Sequence, residues 1–206
     1  MEINICKEDK FFPFLLVDNW FSPEEEELVW KELDYYTCYE TMYNSGEKGD
    51  AASDDDGKSL SDSYRMYPDH MYNGESRRIS HILRFQQPKI FSKEIVAAML
   101  ETTSAARLWE NCTQDNTIIN YYENDNQYKK HCDTSFVSAI IWLYRSPKLY
   151  TGGEFTFVDS GITIEDKHNR LVMFPGFYEH EVAPVFMTEN KLGWGKYSIV
   201  HLYNSR

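Results

Sequence analysis

From about Thr117 onward the sequence breaks into seven short runs: TIINYY, SFVSAIIWLY, GEFTFV, GITIE, RLVMF, HEVAPVF and KYSIVHLY. Each is rich in β-branched and aromatic residues and alternates with turn signals. Short strands at such close spacing belong to an antiparallel sandwich or barrel. The aromatic share of the chain, 16%, agrees, because these side chains suit a pleated surface.

The first half reads differently. Residues 14–17 (FLLV) form a plausible first strand. Ser22 as N-cap, Pro23 at the first helical position and the acids that follow mark a helix start, with Leu28, Val29 and Leu33 on its buried stripe. Residues 79–85 (ISHILRF) read as a strand, and 88 to about 110 as a helix with Ile90, Ile95, Val96, Met99 and Leu100 on one side. Residues 44–63, rich in Ser, Asp and Gly, read as a flexible surface loop and a candidate lid. The expected organisation is one domain over 1–206, with N-terminal strands and helices (1–116) packed on a double sheet (117–206).

The charge is −12, from 21 basic and 33 acidic residues, which disfavours a sequence-independent nucleic-acid binder. No apolar stretch approaches the roughly 18 residues of a membrane span, and the start lacks a secretory apolar segment. Cys6, Cys38, Cys112 and Cys132 show no CxxC spacing and read as reduced thiols, so the expected location is cytoplasmic.

One constellation carries chemistry. On a strand, His131 and Asp133 share a face, with Cys132 turned away. His180 lies far enough downstream for intervening strands to bring it back to the same mouth. Two histidines and a carboxylate on a β-scaffold form a facial triad suited to non-heme Fe(II), with positions left open for a co-substrate and O₂. Lys196 and Ser198 again share a face, and a cation beside a hydroxyl can hold a carboxylate. Lys191 is the rival cation; Lys196 is preferred because it begins the last apolar alternation, with 189–194 as an inserted hairpin tip. His70, His81, His168 and His201 read as structural. Arg65, Arg78 and Arg84 are within reach of a pocket rim. Gly152-Gly153-Glu154-Phe155 reads as a turn feeding a strand.

These residues resemble the Fe(II)/2-oxoglutarate-dependent dioxygenases, in their prolyl-4-hydroxylase-like branch. The resemblance is carried by Tyr121 ten residues before His131, Tyr128 three before it, the apolar VSAIIWLY, the YTGGEF turn, RLVMFPGFYEHEVAPV and GKYSIVHLY; LLVDNWFSPEEEELV is similar to the family's opening strand and helix. It implies a mainly β fold with N-terminal helices, a double-stranded β-helix (jelly roll) core buttressed by α-helices. It implies Fe(II), 2-oxoglutarate and O₂, with ascorbate as an optional reductant. His131, Asp133 and His180 would be the metal ligands and catalytic centre. Lys196 would bind the distal carboxylate of 2-oxoglutarate beside Ser198, and Trp142 falls where relatives have a supporting tyrosine. Asn120 and Tyr122 match one branch's co-substrate contacts and Tyr121 another's; which tyrosine faces inward stays open. The expected reaction is hydroxylation of an aliphatic C–H, first a prolyl residue of a peptide or protein, alternatively a free amino acid or other small molecule. Asp133 argues against halogenation, and Leu202, where nucleic-acid demethylases carry a second arginine, against that branch. A cupin-like jelly roll that binds a ligand without oxidation is the reading from another class. Oligomeric state stays open.

Overall fold

The computed structural model describes residues 1–7, 12–38, 41–47, 50–102 and 106–205. Its elements in chain order are β1 (Glu2–Cys6), β2 (Phe14–Asp18), α1 (Pro23–Tyr36), β3 (Tyr43–Asn44), β4 (Tyr64–Met66) and α2 (Pro68–Met71). A 3₁₀ turn (Gly74–Ile79) leads into α3 (His81–Ile90), α4 (Lys93–Thr102) and α5 (Ala106–Trp109). Then follow β5 (Gln114–Tyr122), β6 (Tyr128–His131), β7 (Val137–Leu143), β8 (Tyr150–Gly152) and β9 (Phe155–Phe157). The chain ends with β10 (Ile162–Ile164), β11 (Arg170–Pro175), β12 (His180–Val182), β13 (Val185–Met187) and β14 (Lys196–Asn204).

An eight-stranded sheet runs β1-β2-β11-β7-β14-β5-β4-β3, and a four-stranded sheet, β10-β9-β12-β6, faces it. A two-stranded ribbon joins β13 to β8. The pairings are antiparallel, as in a jelly roll. The central strands are buried on both faces, and alternate residues go to two cores. Val137, Ala139, Ile141, Tyr197, Ile199, Ile119 and Tyr121 face the helices, where Val29, Leu33, Ile82, Ile95 and Met99 meet them. Ile140, Trp142, Val200, Ile118 and Tyr122 face the smaller sheet and pack with Phe155, Phe157 and Val182.

Helix α1 starts where the sequence puts it. Ser22 accepts from Glu25 N, and Glu25 reaches back to Ser22 N, a reciprocal capping box. Its buried residues are Val29, Glu32, Leu33 and Tyr36, with Leu28 only half-buried.

Three expectations need correction. Residues 79–85 are not a strand. Ser80 caps α3 by accepting from Leu83 N, and Ile82, Leu83, Gln86 and Ile90 are buried at helical spacing, so the run obeys a period near 3.6 rather than 2. The helix expected from 88 to about 110 is broken after Ile90, Pro88 lies inside α3 rather than at a start, and residues 103–105 of that expected helix lie outside the described residues. The run HEVAPVF is split by Ala183-Pro184, since proline has no N–H for a ladder, and its halves β12 and β13 join different sheets. Strand β1 was not anticipated; it pairs along β2 from Glu2↔Asp18 to Cys6↔Phe14.

Within 44–63, residues 48 and 49 lie outside the described residues. The rest is bonded rather than loose: Ser45 Oγ donates to Ser61 Oγ at 2.9 Å, and Asp54 Oδ1 accepts from Asp56 N and Lys58 N at 3.1 and 2.8 Å.

At the edge of the large sheet Asp18 (β2) stands opposite Arg170 (β11). Arg170 Nε and one terminal nitrogen donate to its two oxygens at 2.6 and 3.0 Å, and Lys167 adds a third bond at 2.7 Å. The Arg170 bonds, set against the cost of burial, hold the Asp18 pKa down to about 2. A carboxyl depressed in the folded state stabilises above its unfolded value near 4, and that contribution fades as pH falls toward 2. Asp18→Asn is therefore expected to cost about 2 kcal/mol at pH 7 by urea unfolding, with the gap to wild type closing as pH falls from 5 to 3. A gap that stays constant over that range would refute the assignment.

Candidate active site

His131 closes β6 and His180 opens β12, directly across the ladder, with ring centroids 4.3 Å apart. Asp133 lies past the end of β6, so the pair is not two same-face positions of a strand, as the spacing led one to expect. A turn does the work instead. Asp133 N donates to Gly176 O at 2.8 Å, and Ser138 on β7 donates to Asp133 Oδ2 at 2.5 Å. Gly176 has to be glycine, because a Cβ there would sit 2.2 Å from Ser135 O. The carboxylate then lies 3.8 Å from His131 Nε2 and 3.7 Å from His180 Nε2. One ligand atom from each residue falls within 4.8 Å of the others, the one such group of three found among the described residues.

The unused ring nitrogens fix the tautomers. His131 Nδ1 donates to Lys129 O and His180 Nδ1 to Tyr178 O, both at 2.8 Å. A carbonyl only accepts, so each Nδ1 carries a proton, and Nε2 is the nitrogen that each ring turns toward Asp133. Burial, reinforced by neighbouring His180, brings the His131 pKa down to about 4, so the ring is neutral at pH 7. Tyr128 lies flat on it, centroids 3.6 Å apart. Two imidazoles and one carboxylate, backed by bonds that orient them, suit a divalent iron with open positions.

A cavity of about 320 Å³ opens between the sheets beside this triad. Sheet register lays one transverse row along its wall: Trp142 opposite Ser198, Ser198 opposite Asn120, Asn120 opposite Arg65. All four line the cavity. Trp142 Nε1 and Ser198 Oγ are buried there with no hydrogen-bond partner, an arrangement that costs free energy unless a ligand supplies one. Tyr122 also lines the cavity, whereas Tyr121 points into the helix-side core and accepts from Gly193 N and Gly195 N. That resolves which of the two faces inward.

Lys196 is fully buried, one step along β14 from Ser198, with Nζ 5.3 Å from the Trp142 ring centroid. Its ammonium donates to Gly153 O and lies 3.3 Å from Asp166. Asp166 is also bound by Lys148 at 2.9 Å and by the Tyr150 hydroxyl at 2.8 Å. Burial opposes ionisation of Asp166, but the charges of Lys196 and Lys148 hold its carboxyl below the usual range. Two cations, Lys196 and Lys148, thus share the Asp166 carboxylate. Gly152 and Gly153 both adopt positive φ, and a Cβ on Gly152 would meet Pro184 O at 2.1 Å; the double glycine is a tight turn that brings Gly153 O to Lys196. The unpartnered indole N–H, the hydroxyl and the Lys196 ammonium fit a dicarboxylate such as 2-oxoglutarate. Lys191, by contrast, is exposed, its Nζ 3.6 Å from the Trp194 ring centroid. The 189–194 segment is no hairpin tip, since β13 and β14 belong to different sheets.

Of the remaining histidines, His201 is buried against Thr117 Oγ1, and His168 bonds Glu26 and Tyr144 N. Arg65 lines the cavity; Arg78 and Arg84 do not. Sequence reasoning gave no role to Ser138, Asp166, Lys148 and Tyr150, which support the site. No helix among the described residues is long and apolar enough to cross a membrane.

Residues 117–203 match the 2OG-Fe(II) oxygenase superfamily. No curated protein sequence matches the chain. Among solved structures, a prolyl-4-hydroxylase of Pseudomonas putida is similar over 94% of this chain and 92% of its own, at 14% identity and a TM-score of 0.58. A prolyl hydroxylase of Trichoplax adhaerens, solved with a hypoxia inducible factor peptide fragment, is similar over 93% and 83%, at 14% identity and a TM-score of 0.62. A viral collagen prolyl hydroxylase of Paramecium bursaria Chlorella virus-1, solved with 2-oxoglutarate, is similar over 92% and 94%, at 12% identity and a TM-score of 0.51. Residues 117–203, which hold the triad and the cavity's inner strands, are thus similar to the 2OG-Fe(II) oxygenase superfamily, and the jelly-roll fold is shared with these prolyl hydroxylases.

Proposed function

We propose that this protein hydroxylates an aliphatic C–H of a prolyl residue in a peptide or protein, with His131, Asp133 and His180 holding Fe(II) and Lys196 and Ser198 holding the distal carboxylate of 2-oxoglutarate. The observation that carries the reading is the pair of backbone carbonyls that fix both imidazoles with Nε2 turned toward Asp133. The bound metal and co-substrate supply the oxidation, in which 2-oxoglutarate becomes succinate and CO₂ and one oxygen atom enters the substrate.

The protein's own groups bind and orient. Lys129 O and Tyr178 O keep the imidazole protons on Nδ1. Ser138 donates to Asp133 and so keeps it an acceptor. Trp142 Nε1 and Ser198 Oγ donate to the co-substrate, and Lys196, freed in part by Lys148 taking up Asp166, supplies the charge. Tyr122 and Asn120 complete the polar wall. Phe155 and Val182 form apolar wall opposite and exclude water. The prolyl substrate rests on the likeness to prolyl hydroxylases. A free amino acid or other small molecule is the second reading, favoured by the buried Arg65 in the cavity. The four cysteines form no disulfide, which suits a reducing, cytoplasmic setting, and the chain works as one domain.

Anaerobic addition of Fe(II) and 2-oxoglutarate is expected to give a metal-to-ligand charge-transfer band in the wild type. His131→Ala, Asp133→Ala and His180→Ala should each abolish it; an unchanged band in any of them rejects that residue as a ligand. Lys196→Met is expected to weaken 2-oxoglutarate binding by about 10- to 100-fold, the scale of a lost charge-assisted contact of about 1.5–3 kcal/mol, as read by calorimetry on the Mn(II)-loaded protein. Equal affinity in Lys196→Met and wild type would move the anchor elsewhere.

A further inference from the structure

The cavity is lined by a cation, Arg65, that the metal and co-substrate assignments leave unused. Arg65 sits on β4 at the end of the transverse row opposite Trp142, and it is 1% exposed. Its Nε donates to Asn120 Oδ1 at 2.8 Å, and one terminal nitrogen donates to Asp50 O at 2.7 Å. Both acceptors are neutral, so they set the plane of the guanidinium without answering its charge. The nearest carboxylate oxygen among the described residues is Asp50 Oδ1, at 4.0 Å, beyond hydrogen-bond reach and itself without a partner. The other oxygen, Asp50 Oδ2, accepts from the Tyr43 hydroxyl at 2.5 Å. A buried guanidinium with no bonded counter-ion is costly, and its fork geometry matches a carboxylate.

Position separates this charge from the co-substrate end. Lys196 neighbours Trp142, whereas Arg65 neighbours Asp50, Ala51 and Ala52 on the cavity rim. The guanidinium carbon lies 5.6 Å from the centroid of Tyr128, the ring that stacks on His131. It therefore stands beside the metal ligands, on the side where the rim loop borders the opening. The chain as a whole carries −12 and repels anions, so an anion admitted here needs a local cation to hold it.

We propose that Arg65 binds a carboxylate of the substrate, so that the enzyme selects an anionic molecule: a free amino acid, or a peptide with an acidic residue beside the oxidised one. This inference rests on the oxygenase reading above and narrows its substrate class.

The test uses the full chain loaded with Mn(II) and 2-oxoglutarate, which binds without turnover, and calorimetry. The probes are the free L-amino acids paired with their amides, and acetyl-capped proline dipeptide amides with Asp or Glu paired with Asn or Gln. Carboxylate members are expected to bind at least about tenfold tighter than their amide partners. Arg65→Gln should remove that preference, Arg65→Lys should keep part of it, and 2-oxoglutarate affinity should change by less than about threefold in both. Preference among the amino acids points to a small-molecule substrate, preference among the peptides to an acidic sequence context. Equal binding of acids and amides to the wild type, or no binding of any acid, overturns the inference. So does an Arg65→Gln protein that loses 2-oxoglutarate affinity about tenfold, because Arg65 would then hold the co-substrate. If Arg65→Gln does not fold, the wild-type preference and Arg65→Lys decide. Failure of the wild type to bind 2-oxoglutarate with Mn(II) strikes the oxygenase reading itself and is read separately, from the first titration.

Discussion

The strict alternation of side chains along β5, β7 and β14 governs the rest of the molecule. Over residues 117–122, Val137–Leu143 and 196–201 these strands are buried on both faces, so each residue there goes either to the helix-packed core or to the space between the sheets. A shift of one residue would exchange the two sets. The helix side is filled by aliphatic and tyrosine side chains that need no ligand. The other side receives Asn120, Tyr122, Ser138, Trp142, Lys196 and Ser198, the polar residues that make the cavity chemically useful. Packing against α1, α3 and α4 thus holds the register that points the site inward.

That inward polarity is costly, and the structure offsets it locally. Lys196 is fully buried; burial pushes its ammonium pKa down, while Asp166 works in the opposite direction. Asp166 is in turn held by Lys148 and Tyr150, so no member of the cluster faces an apolar wall alone. At the triad the same economy appears as histidines that each give an Nδ1–H to a carbonyl, and a carboxylate steadied by Ser138. Among the buried side-chain atoms left without a hydrogen-bond partner, Trp142 Nε1, Ser198 Oγ and Asp50 Oδ1 belong to residues that line the cavity.

Much of this was legible in the sequence because it depends on period and local chemistry. The seven runs from Thr117 onward announce the sheets, Ser22-Pro23 with Glu25 announces α1, and the order His131, Asp133, His180, Lys196 announces the chemistry. What could not be read depends on partners distant in the chain. The segment 79–85 alternates well enough to pass for a strand, yet Ser80 turns to Glu32 of α1 and caps a helix there. The parity of Tyr121 and Tyr122 needed the register with β14, where Tyr122 stands opposite Lys196. Arg65 is an arginine between two apolar-leaning neighbours, and only the pairing of β4 with β5 turns it into the cavity. Asp166 sits in a loop with no motif around it, and its value comes from Lys148, Tyr150 and Lys196 meeting in space.

The segment that brings Asp50, Ala51 and Ala52 to the cavity is fastened in part through its main chain. Ala52 N donates to the Tyr128 hydroxyl at 3.0 Å, Asp50 O accepts from Arg65 and Tyr67, and Leu60 O accepts from Lys129 N at 2.9 Å. Contacts of this kind do not depend on which side chains the segment carries. At Ala52 and Leu60 the side chain can therefore change while the bonds that carry the segment past the cavity persist, so new contacts can be tried there without disturbing the histidines.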